Sequence, residues 1–298
     1  MVFPHPKEGK VLVKRVVGLG GETIGIGEDS GDVFADGRLL VKPDDVREAV
    51  RERLDVPDPD SPGAPGAWTS ATPPCGRRRY ARDLFADEPR YEDEHGVREP
   101  QASPRPLAHD VYLSADVVSV PGVSNGLFLE WVDAAGNPAN RIRGVAVTVS
   151  ENEVAAGTYS TEACDEWTTR ALRGGGVPAG RWTRLEVSLV DGVMRARAGA
   201  TSARAEVEAP RGRARVVVGG GVRGLEVWRD VHYTRPMDAQ FAVHQASLVQ
   251  EGTLFCLGDH SSNSHDSRFA DVGPIPVSSL IGPVVYRVWP PSRIGPVH

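Results

Sequence analysis

Short apolar runs that alternate with polar residues and end at turn residues fill the middle of the chain. Over residues 106–235 these runs are DVYLSADVVSV, GLFLEWVD, GVAVTVS, RLEVSLV-DG-VMRARA, RVVVGGG and GLEVWRDVHY. In RLEVSLV, one face carries Leu185, Val187 and Leu189 and the other carries polar side chains, as a strand with one buried face requires. Several such strands joined by turns predict an antiparallel β-sandwich over residues 106–235.

One turn within these runs indicates how two strands pair. Asp191 and Gly192 follow RLEVSLV directly, and an Asp-Gly pair favours a hairpin because both residues tolerate positive φ. The hairpin formed by W-T-R-L-E-V and V-D-G-V, in this order of elements, resembles concanavalin-like or laminin-G-like sandwiches. That resemblance implies two packed antiparallel sheets.

The N-terminal part of the chain also favours strands. VLVKRVVGL is rich in β-branched residues, and DVFADGRLLV places Asp36 and Gly37 as a turn between two apolar runs. In PDDVREAVRERL the helical spacing of apolar residues predicts a short helix, which Asp44 or Asp45 can cap. The apolar positions of this helix are Val46, Val50 and Leu54.

The segment before the sandwich has a different composition. Residues 56–105 contain DPDSPGAPGAW, TPPCGRRR and EPQASPRP, which are too rich in proline, glycine and charge to bury a core. We therefore predict a loosely ordered linker there. The predicted fold is mainly β, with residues 1–55 and 236–298 forming one discontinuous domain into which the sandwich of residues 106–235 is inserted.

Composition excludes several classes of function. The formal net charge of −6 gives no electrostatic reason to bind nucleic acid. Cys75, Cys164 and Cys256 are widely spaced and odd in number, so they predict neither a disulfide framework nor a zinc site. We expect no cofactor and no metal. No apolar run reaches the ~18 residues that span a bilayer, so we expect the chain alone to be soluble.

Two segments at opposite ends of the chain carry the motifs that point to a function. They are VLVKRVVGLGGETI and FCLGDHSSNSHDSRFADVGPIPVSSLIGPVV, the second followed by W-P-P-S-R-I-G. The first resembles the K-R-V-x-G-L-P-G-D segment of type I signal peptidases. The second resembles their G-D-N-x-x-x-S-x-D-S-R and F-G-x-V-P-x-x-x-I-x-G segments. The resemblance covers less than half of the chain and departs from the family at Gly20, Glu22 and His260.

The resemblance implies that Lys14 is the general base of a Ser/Lys dyad. Lys14 lies among valines, and burial disfavours its charged form, so its amine can be neutral and accept a proton from a serine hydroxyl. An alternative interpretation places Lys14 and Arg15 on the exposed face of an edge strand, where lysine discourages aggregation. The second motif favours the catalytic interpretation.

By the same resemblance, Ser264 orients the lysine amine, Asp266 and Arg268 form an ion pair, and Gly258 leaves room for the lysine. The supporting residues that the resemblance implies are Arg15, Gly258, Asp259, Asp266, Ser267 and Arg268. The alternative for GDHSSNSHDSR is a polar surface loop. His260 and His265 have no third ligand at a recognisable spacing, so we expect solvated loop histidines.

The nucleophile of the family is missing. Signal peptidases carry it in an S-x-S-M-x-P-T segment before the lysine, preceded by a membrane helix, whereas the first serine here is Ser30. Because V-F-P-H-P-K resembles the family's stretch just before the lysine, we expect a truncated chain. A general base without a nucleophile cannot carry out acyl transfer.

Two hypotheses of function follow. The first is a signal peptidase I-like serine endopeptidase that removes signal peptides from exported preproteins, with this chain inactive alone. The family resemblance implies the cytoplasmic (inner) membrane, an extracytoplasmic catalytic face and attachment to the membrane surface through a missing N-terminal anchor. The second is a non-catalytic module that binds glycan or protein on a decayed peptidase scaffold.

Overall fold

The protein is described here by a computed structural model. The residues it describes are 1–28, 31–54, 69–71, 79–83, 91–93, 96–98, 110–132, 144–160, 167–207, 213–231, 233, 235–236, 238–261, 264–288, 291 and 294–297. The chain divides into two compact units. Unit 1 comprises Met1–Arg51, Glu88–Ser103 and Val231–His298, and unit 2 comprises Glu52–Asp87 and Pro104–Asp230.

Strands account for most of the described secondary structure. In chain order the elements are β1 (Val2–Pro4), β2 (Val11–Val13), β3 (Arg15–Leu19), β4 (Thr23–Ile26), β5 (Val33–Ala35), β6 (Arg38–Leu39), α1 (Asp44–Val50), β7 (Glu52–Leu54), β8 (Thr69–Ala71), β9 (Arg79–Asp83), β10 (Tyr91–Asp93), β11 (Gly96–Arg98), β12 (Val111–Val118), β13 (Asn125–Val132), β14 (Gly144–Val149), β15 (Glu153–Tyr159), β16 (Trp167–Gly175), β17 (Trp182–Val190), β18 (Val193–Ala198), β19 (Thr201–Glu206), β20 (Arg213–Gly219), β21 (Val222–Arg229), β22 (Ser247–Leu248), β23 (Thr253–Leu257), β24 (Ile275–Pro276), a 3₁₀ turn (Val277–Ser279), β25 (Tyr286–Arg287) and β26 (Gly295–Pro296).

Unit 2 contains the predicted sandwich. A six-stranded sheet has the order β19-β18-β17-β12-β21-β7, and a seven-stranded sheet has the order β16-β15-β14-β13-β20-β9-β8. One hydrophobic core draws side chains from both sheets, among them Leu113 and Val187 from the first and Leu129 and Val147 from the second. The prediction of a mainly β fold with an antiparallel sandwich is confirmed.

Both Asp-Gly pairs turn the chain as predicted. Asp36 and Gly37 have φ values of 50° and 74°, and they join β5 to β6. Asp191 and Gly192 have φ values of 50° and 71°, and they join β17 to β18. Positive φ at both central residues matches the right-handed twist of the flanking strands, so each pair closes a tight hairpin.

The two motif segments lie in one sheet of unit 1. β3, from the first segment, pairs with β23, from the second, and β24 pairs on the other side of β23. The register places Cys256 opposite Val16 and Leu257 opposite Arg15. This pairing puts the end of β23 next to the start of β3, where Lys14 lies.

The helix is shorter than its periodicity predicts. α1 ends at Val50, and Leu54 lies instead in β7, where it pairs with Val227 of β21. The residue before the helix is Pro43, and no side chain caps its start. The prediction that Leu54 belongs to the helix is therefore wrong, because pairing with a distant strand outweighs a weak local preference for helix.

The predicted linker also needs correction. Thr69–Ala71 and Arg79–Asp83 form β8 and β9, and β9 pairs with β20. The partner of β9 lies far along the chain, in β20, which composition does not reveal. Most other residues of 56–105 lie outside the described residues, as do Cys75 and Cys164. The domain boundaries at residues 55, 105 and 235 stay a prediction.

Among the described residues, no helix combines the length and the apolar character needed to cross a membrane. Cys256 is a free, buried thiol, and burial raises its pKa to about 11.

Candidate active site

Lys14 and Ser264 meet in unit 1. Lys14 lies between β2 and β3, and Ser264 lies in the loop that follows β23. The Lys14 amine donates a hydrogen bond to the Ser264 hydroxyl, with Nζ and Oγ 2.7 Å apart. Lys14 is half-buried and Ser264 is buried. The amine therefore faces a hydroxyl in a site that is partly closed to water.

The surroundings lower the pKa of Lys14 below its ordinary value of 10.5. Desolvation by burial is the largest cause, since it penalises the ammonium form. The carboxylates of Asp266 and Asp259 act in the opposite direction, and the guanidinium of Arg268 adds to the lowering. The Lys14 ammonium therefore loses its proton more readily than that of an exposed lysine does, while two carboxylates remain near enough to stabilise the ammonium form.

Arg268 and Asp266 form a fully buried ion pair beneath this site. Arg268 Nε lies 2.8 Å from Asp266 Oδ1, and a terminal guanidinium nitrogen lies 2.9 Å from Oδ2. Neither side chain is exposed. The guanidinium also donates to the Ser261 hydroxyl and to the backbone carbonyls of Ser261 and Ser264. The pair therefore fixes the backbone that carries Ser264.

Two further contacts attach this loop to the sheet. Ser267 exchanges hydrogen bonds with Cys256 of β23: its hydroxyl accepts from the Cys256 N–H, and its N–H donates to the Cys256 carbonyl, both at 3.0 Å. Arg15 binds both oxygens of Asp259, at 2.9 and 3.0 Å. This exposed bidentate pair raises the pKa of Arg15, mainly through the hydrogen bond itself.

Gly258 leaves the space in which Lys14 and Ser264 meet. A Cβ at this position would lie 2.0 Å from Ser264 Oγ and 3.2 Å from Lys14 Nζ. The Gly258 N–H also donates to Asp266 Oδ2 at 3.0 Å, so the backbone there cannot move away freely. Any side chain larger than hydrogen must displace the serine hydroxyl.

Gly258→Ala should therefore cost about 1–3 kcal/mol of unfolding free energy, as overpacking of a well-packed site does. It should also separate Lys14 from Ser264. Urea unfolding measures the first effect, and the chemical shift of the Lys14 side chain reports the second. Gly25→Ala is the matched control, since a Cβ there meets only ordinary contact, with the nearest atom at 3.5 Å. Equal losses for both variants would contradict the assigned role of Gly258.

Met1 pairs with Lys14 through the backbone. The Met1 α-amino group donates to the Lys14 carbonyl at 2.6 Å, and the Lys14 N–H donates to the Met1 carbonyl at 3.0 Å. These bonds continue the ladder between β1 and β2, in which Val2 is opposite Val13. The first residue of the sequence therefore lies beside the backbone of Lys14.

A histidine cluster that lies near the site was not predicted from the sequence. His265 Nε2 lies 2.7 Å from Asp271 Oδ2, and His5 Nε2 lies 3.8 Å from the same oxygen. The hydrogen bond from His265 is the main reason that the pKa of Asp271 is lowered. His265 therefore has a carboxylate partner in its own loop and is not a simple solvated residue. His5 approaches the same carboxylate from the other end of the chain, which no local spacing predicts.

The structure brings all the predicted site residues into one region of unit 1. They are Lys14, Arg15, Gly258, Asp259, Ser264, Asp266, Ser267 and Arg268. Among them, Lys14 contacts Ser264, and Asp266 pairs with Arg268. Their catalytic roles stay predictions.

Comparison with known proteins relates part of the chain to a peptidase family. Residues 206–289 match the family model described as signal peptidase, peptidase S26. Ser264, Asp266 and Arg268 fall within the match, whereas Lys14 lies outside it. These residues thus resemble signal peptidases of family S26.

Curated relatives match over short stretches. The chain is 43% identical over 50 residues to the probable thylakoidal processing peptidase 2, chloroplastic, of Arabidopsis thaliana, which is 17% of this chain and 13% of that protein. It is 42% identical over 53 residues to the mitochondrial ATP-independent inner membrane protease subunit 1b of Arabidopsis thaliana, which is 18% of this chain and 30% of that protein. The chain therefore spans less than a third of the length of these relatives.

Among solved structures, the chain is similar to alginate lyase A1-II', a member of polysaccharide lyase family-7. The TM-score is 0.30 and the identity 10%, over 55% of this chain and 80% of that chain.

Proposed function

We propose that this chain carries the general base of a signal peptidase I-like serine endopeptidase. The observation that carries the proposal is the 2.7 Å hydrogen bond between Lys14 Nζ and Ser264 Oγ. A lysine with a lowered pKa, next to a hydroxyl in a partly closed site, has the chemistry of a Ser/Lys dyad base. The match of residues 206–289 to family S26 supports the same class of enzyme.

The residues have distinct roles in this proposal. The neutral Lys14 amine accepts the proton of a nucleophilic serine as that serine attacks the scissile carbonyl carbon. Ser264 holds the amine in the orientation that receives the proton. Asp266 and Asp259 stabilise the ammonium that results, since both raise the pKa of Lys14. The ammonium then returns its proton to the leaving amine, and water hydrolyses the acyl-serine.

Residues 1–13 contain no serine, so none of them can be the nucleophile of this proposal. In the family this nucleophile lies before the lysine, in an S-x-S-M-x-P-T segment.

The substrates and the location follow from the family. We propose that the enzyme cleaves signal peptides of exported preproteins after small residues, with its catalytic face on the extracytoplasmic side of the inner membrane. An N-terminal anchor would hold it at the membrane surface. These statements rest on the resemblance to signal peptidases.

The test compares two forms of the protein with a fluorogenic signal-peptide substrate. The sequence as given should show no hydrolysis, because Ser264 is assigned to orientation and no serine precedes Lys14. A form extended upstream by the in-frame segment with S-x-S-M should cleave the substrate. Hydrolysis by the unextended chain would show that the nucleophile is misplaced, and an inactive extended form would overturn the proposed function.

A second candidate is a binding module, and one observation in unit 2 favours it. On the outer face of the seven-stranded sheet, Arg215, Glu130, Gly144, Tyr159 and Trp167 follow one another on neighbouring strands, and Glu130 and Tyr159 are buried. The buried Tyr159 hydroxyl donates to Glu130 at 3.0 Å. The Trp167 ring at the end of this row is half-buried and lies 5.7 Å from the Arg170 guanidinium, and an aromatic ring beside a charged group suits polar ligands such as sugars. A pure binding module would hydrolyse nothing even when extended.

A further inference from the structure

Three metal-binding side chains converge in unit 1 beside the candidate active site. His5 lies in the turn between β1 and β2, while His265 and Asp271 lie in the loop between β23 and β24. Their donor atoms all lie within 4.8 Å of one another. They come from opposite ends of the chain, so this cluster exists only in the folded protein.

His5 points a buried nitrogen with no partner into the cluster. Its side chain is only 4% exposed. Its Nδ1 accepts hydrogen bonds from the backbone N–H groups of Lys7 and Glu8, at 3.2 and 3.1 Å. Its Nε2 is buried without a hydrogen-bond partner, and Asp271 Oδ2 is 3.8 Å away. A buried polar atom without a partner costs free energy, and an ion bound to Nε2 would remove that cost.

The other two donors are fixed but open to solution. The His265 ring stacks on Phe269, with centroids 4.5 Å apart and planes 18° apart. It is also nearly parallel to the His5 ring, at 6.0 Å. The side chains of His265 and Asp271 are 50% and 35% exposed, so an ion can enter from their side. His5 closes the opposite side.

We propose that His5 Nε2, His265 Nε2 and Asp271 Oδ2 bind a divalent transition metal ion such as Zn²⁺. Two imidazoles and one carboxylate form a donor set that Zn²⁺ prefers, with the fourth tetrahedral position left to water. Bonds of about 2.0–2.1 Å around a tetrahedral ion place donor atoms roughly 3.3 Å apart. The separations of 2.7 and 3.8 Å from Asp271 Oδ2 to the two rings lie on either side of that value. Small side-chain shifts therefore suffice.

Binding requires a change in where the imidazole protons lie. While Nδ1 of His5 accepts hydrogen bonds, the proton of the neutral ring is on Nε2. The ion takes the lone pair of Nε2, so the proton moves to Nδ1; a water molecule then accepts from Nδ1–H, and the N–H groups of Lys7 and Glu8 donate to water instead of to the ring. Both residues are exposed, which makes that exchange inexpensive. His265 likewise keeps its proton on Nδ1 when Nε2 binds the ion, and Asp271 binds as carboxylate.

This site is separate from the proposed peptidase chemistry. None of its ligands is Lys14 or Ser264, and binding needs no nucleophile. The sequence predicts no metal because His260 and His265 have no local third ligand. His5 supplies that ligand from the N-terminal hairpin.

Titration of the full chain, made without a polyhistidine tag, tests the site. Co²⁺ is added first, because its absorption bands report a four-coordinate site, and Zn²⁺ is then added in a competition experiment. We expect saturable binding of one ion and displacement of Co²⁺ by Zn²⁺. His265→Ala and Asp271→Asn should each weaken binding by at least about tenfold. Both change exposed side chains, so the variants should fold, which circular dichroism of the metal-free forms verifies.

His260→Ala is the matched control, because His260 is the other histidine of the same loop. Its affinity for Zn²⁺ should equal that of the unaltered chain. Absence of saturable Co²⁺ bands would overturn the site. So would unchanged affinity in both His265→Ala and Asp271→Asn, or an equal loss in His260→Ala. Peptidase activity is not measured, so this result is independent of the proposed function.

Discussion

Replacing Lys14 with alanine in an upstream-extended, active form should lower the rate of signal-peptide hydrolysis by about 10²–10⁴-fold or more. Without the amine, the nucleophilic serine hydroxyl has no base, and a serine at its ordinary pKa is a weak nucleophile. Initial rates across a pH series measure the effect. In the unaltered extended form, the rate should rise with pH through the pKa of Lys14, which lies below 10.5, because the neutral amine is the active form.

Two variants control this experiment. Lys10→Ala removes an exposed lysine of the same hairpin, with a side chain 78% exposed, and should leave the rate unchanged. Lys14→Arg keeps the charge but cannot supply a neutral base, so it should be as inactive as Lys14→Ala. Cleavage that survives loss of Lys14 would show that the base is another group.

Arg268→Met should destabilise unit 1 by about 3–5 kcal/mol, because it leaves the Asp266 carboxylate buried without its partner. Both side chains are fully buried, and the guanidinium also holds the backbone carbonyls of Ser261 and Ser264. Urea unfolding, monitored through hydrogen exchange of the β23 backbone amides, measures the loss of unfolding free energy in unit 1. The Ser264 loop should lose protection first.

An exposed ion pair provides the comparison for Arg268. Lys10 and Glu8 are 3.3 Å apart, with side chains 78% and 52% exposed. Lys10→Met should cost less than about 1 kcal/mol, as exposed pairs usually do. A loss for Arg268→Met no larger than that for Lys10→Met would contradict the role of the buried pair in holding the loop.

Local signals predicted much of the fold. The alternation in RLEVSLV fixed the buried face of β17, since strand periodicity depends only on which residues neighbour each other in sequence. The Asp-Gly pairs at 36–37 and 191–192 predicted their hairpins because positive φ is a property of the turn residues themselves.

Elements whose partners lie far away in the sequence could not be predicted from local patterns. β8 and β9 lie in a segment whose composition predicts a linker, and Leu54 fits a helix until β21 pairs with it. The contact between Lys14 and Ser264 was predicted only from the family resemblance. No periodicity brings the two ends of the chain together. His5 was missed for the same reason, because its partners lie near the other terminus.

The pKa of Lys14 in the folded chain decides whether this residue can act as the general base. Lysine labelled with ¹³C at Cε is titrated by NMR, and Lys14→Arg identifies the Lys14 signal. Because burial is the main influence on this amine, we expect a pKa for Lys14 below the ordinary 10.5. A pKa of 10.5 or higher for Lys14 would mean that the folded structure does not disfavour the ammonium relative to an ordinary lysine, and it would contradict the assignment of Lys14 as the general base.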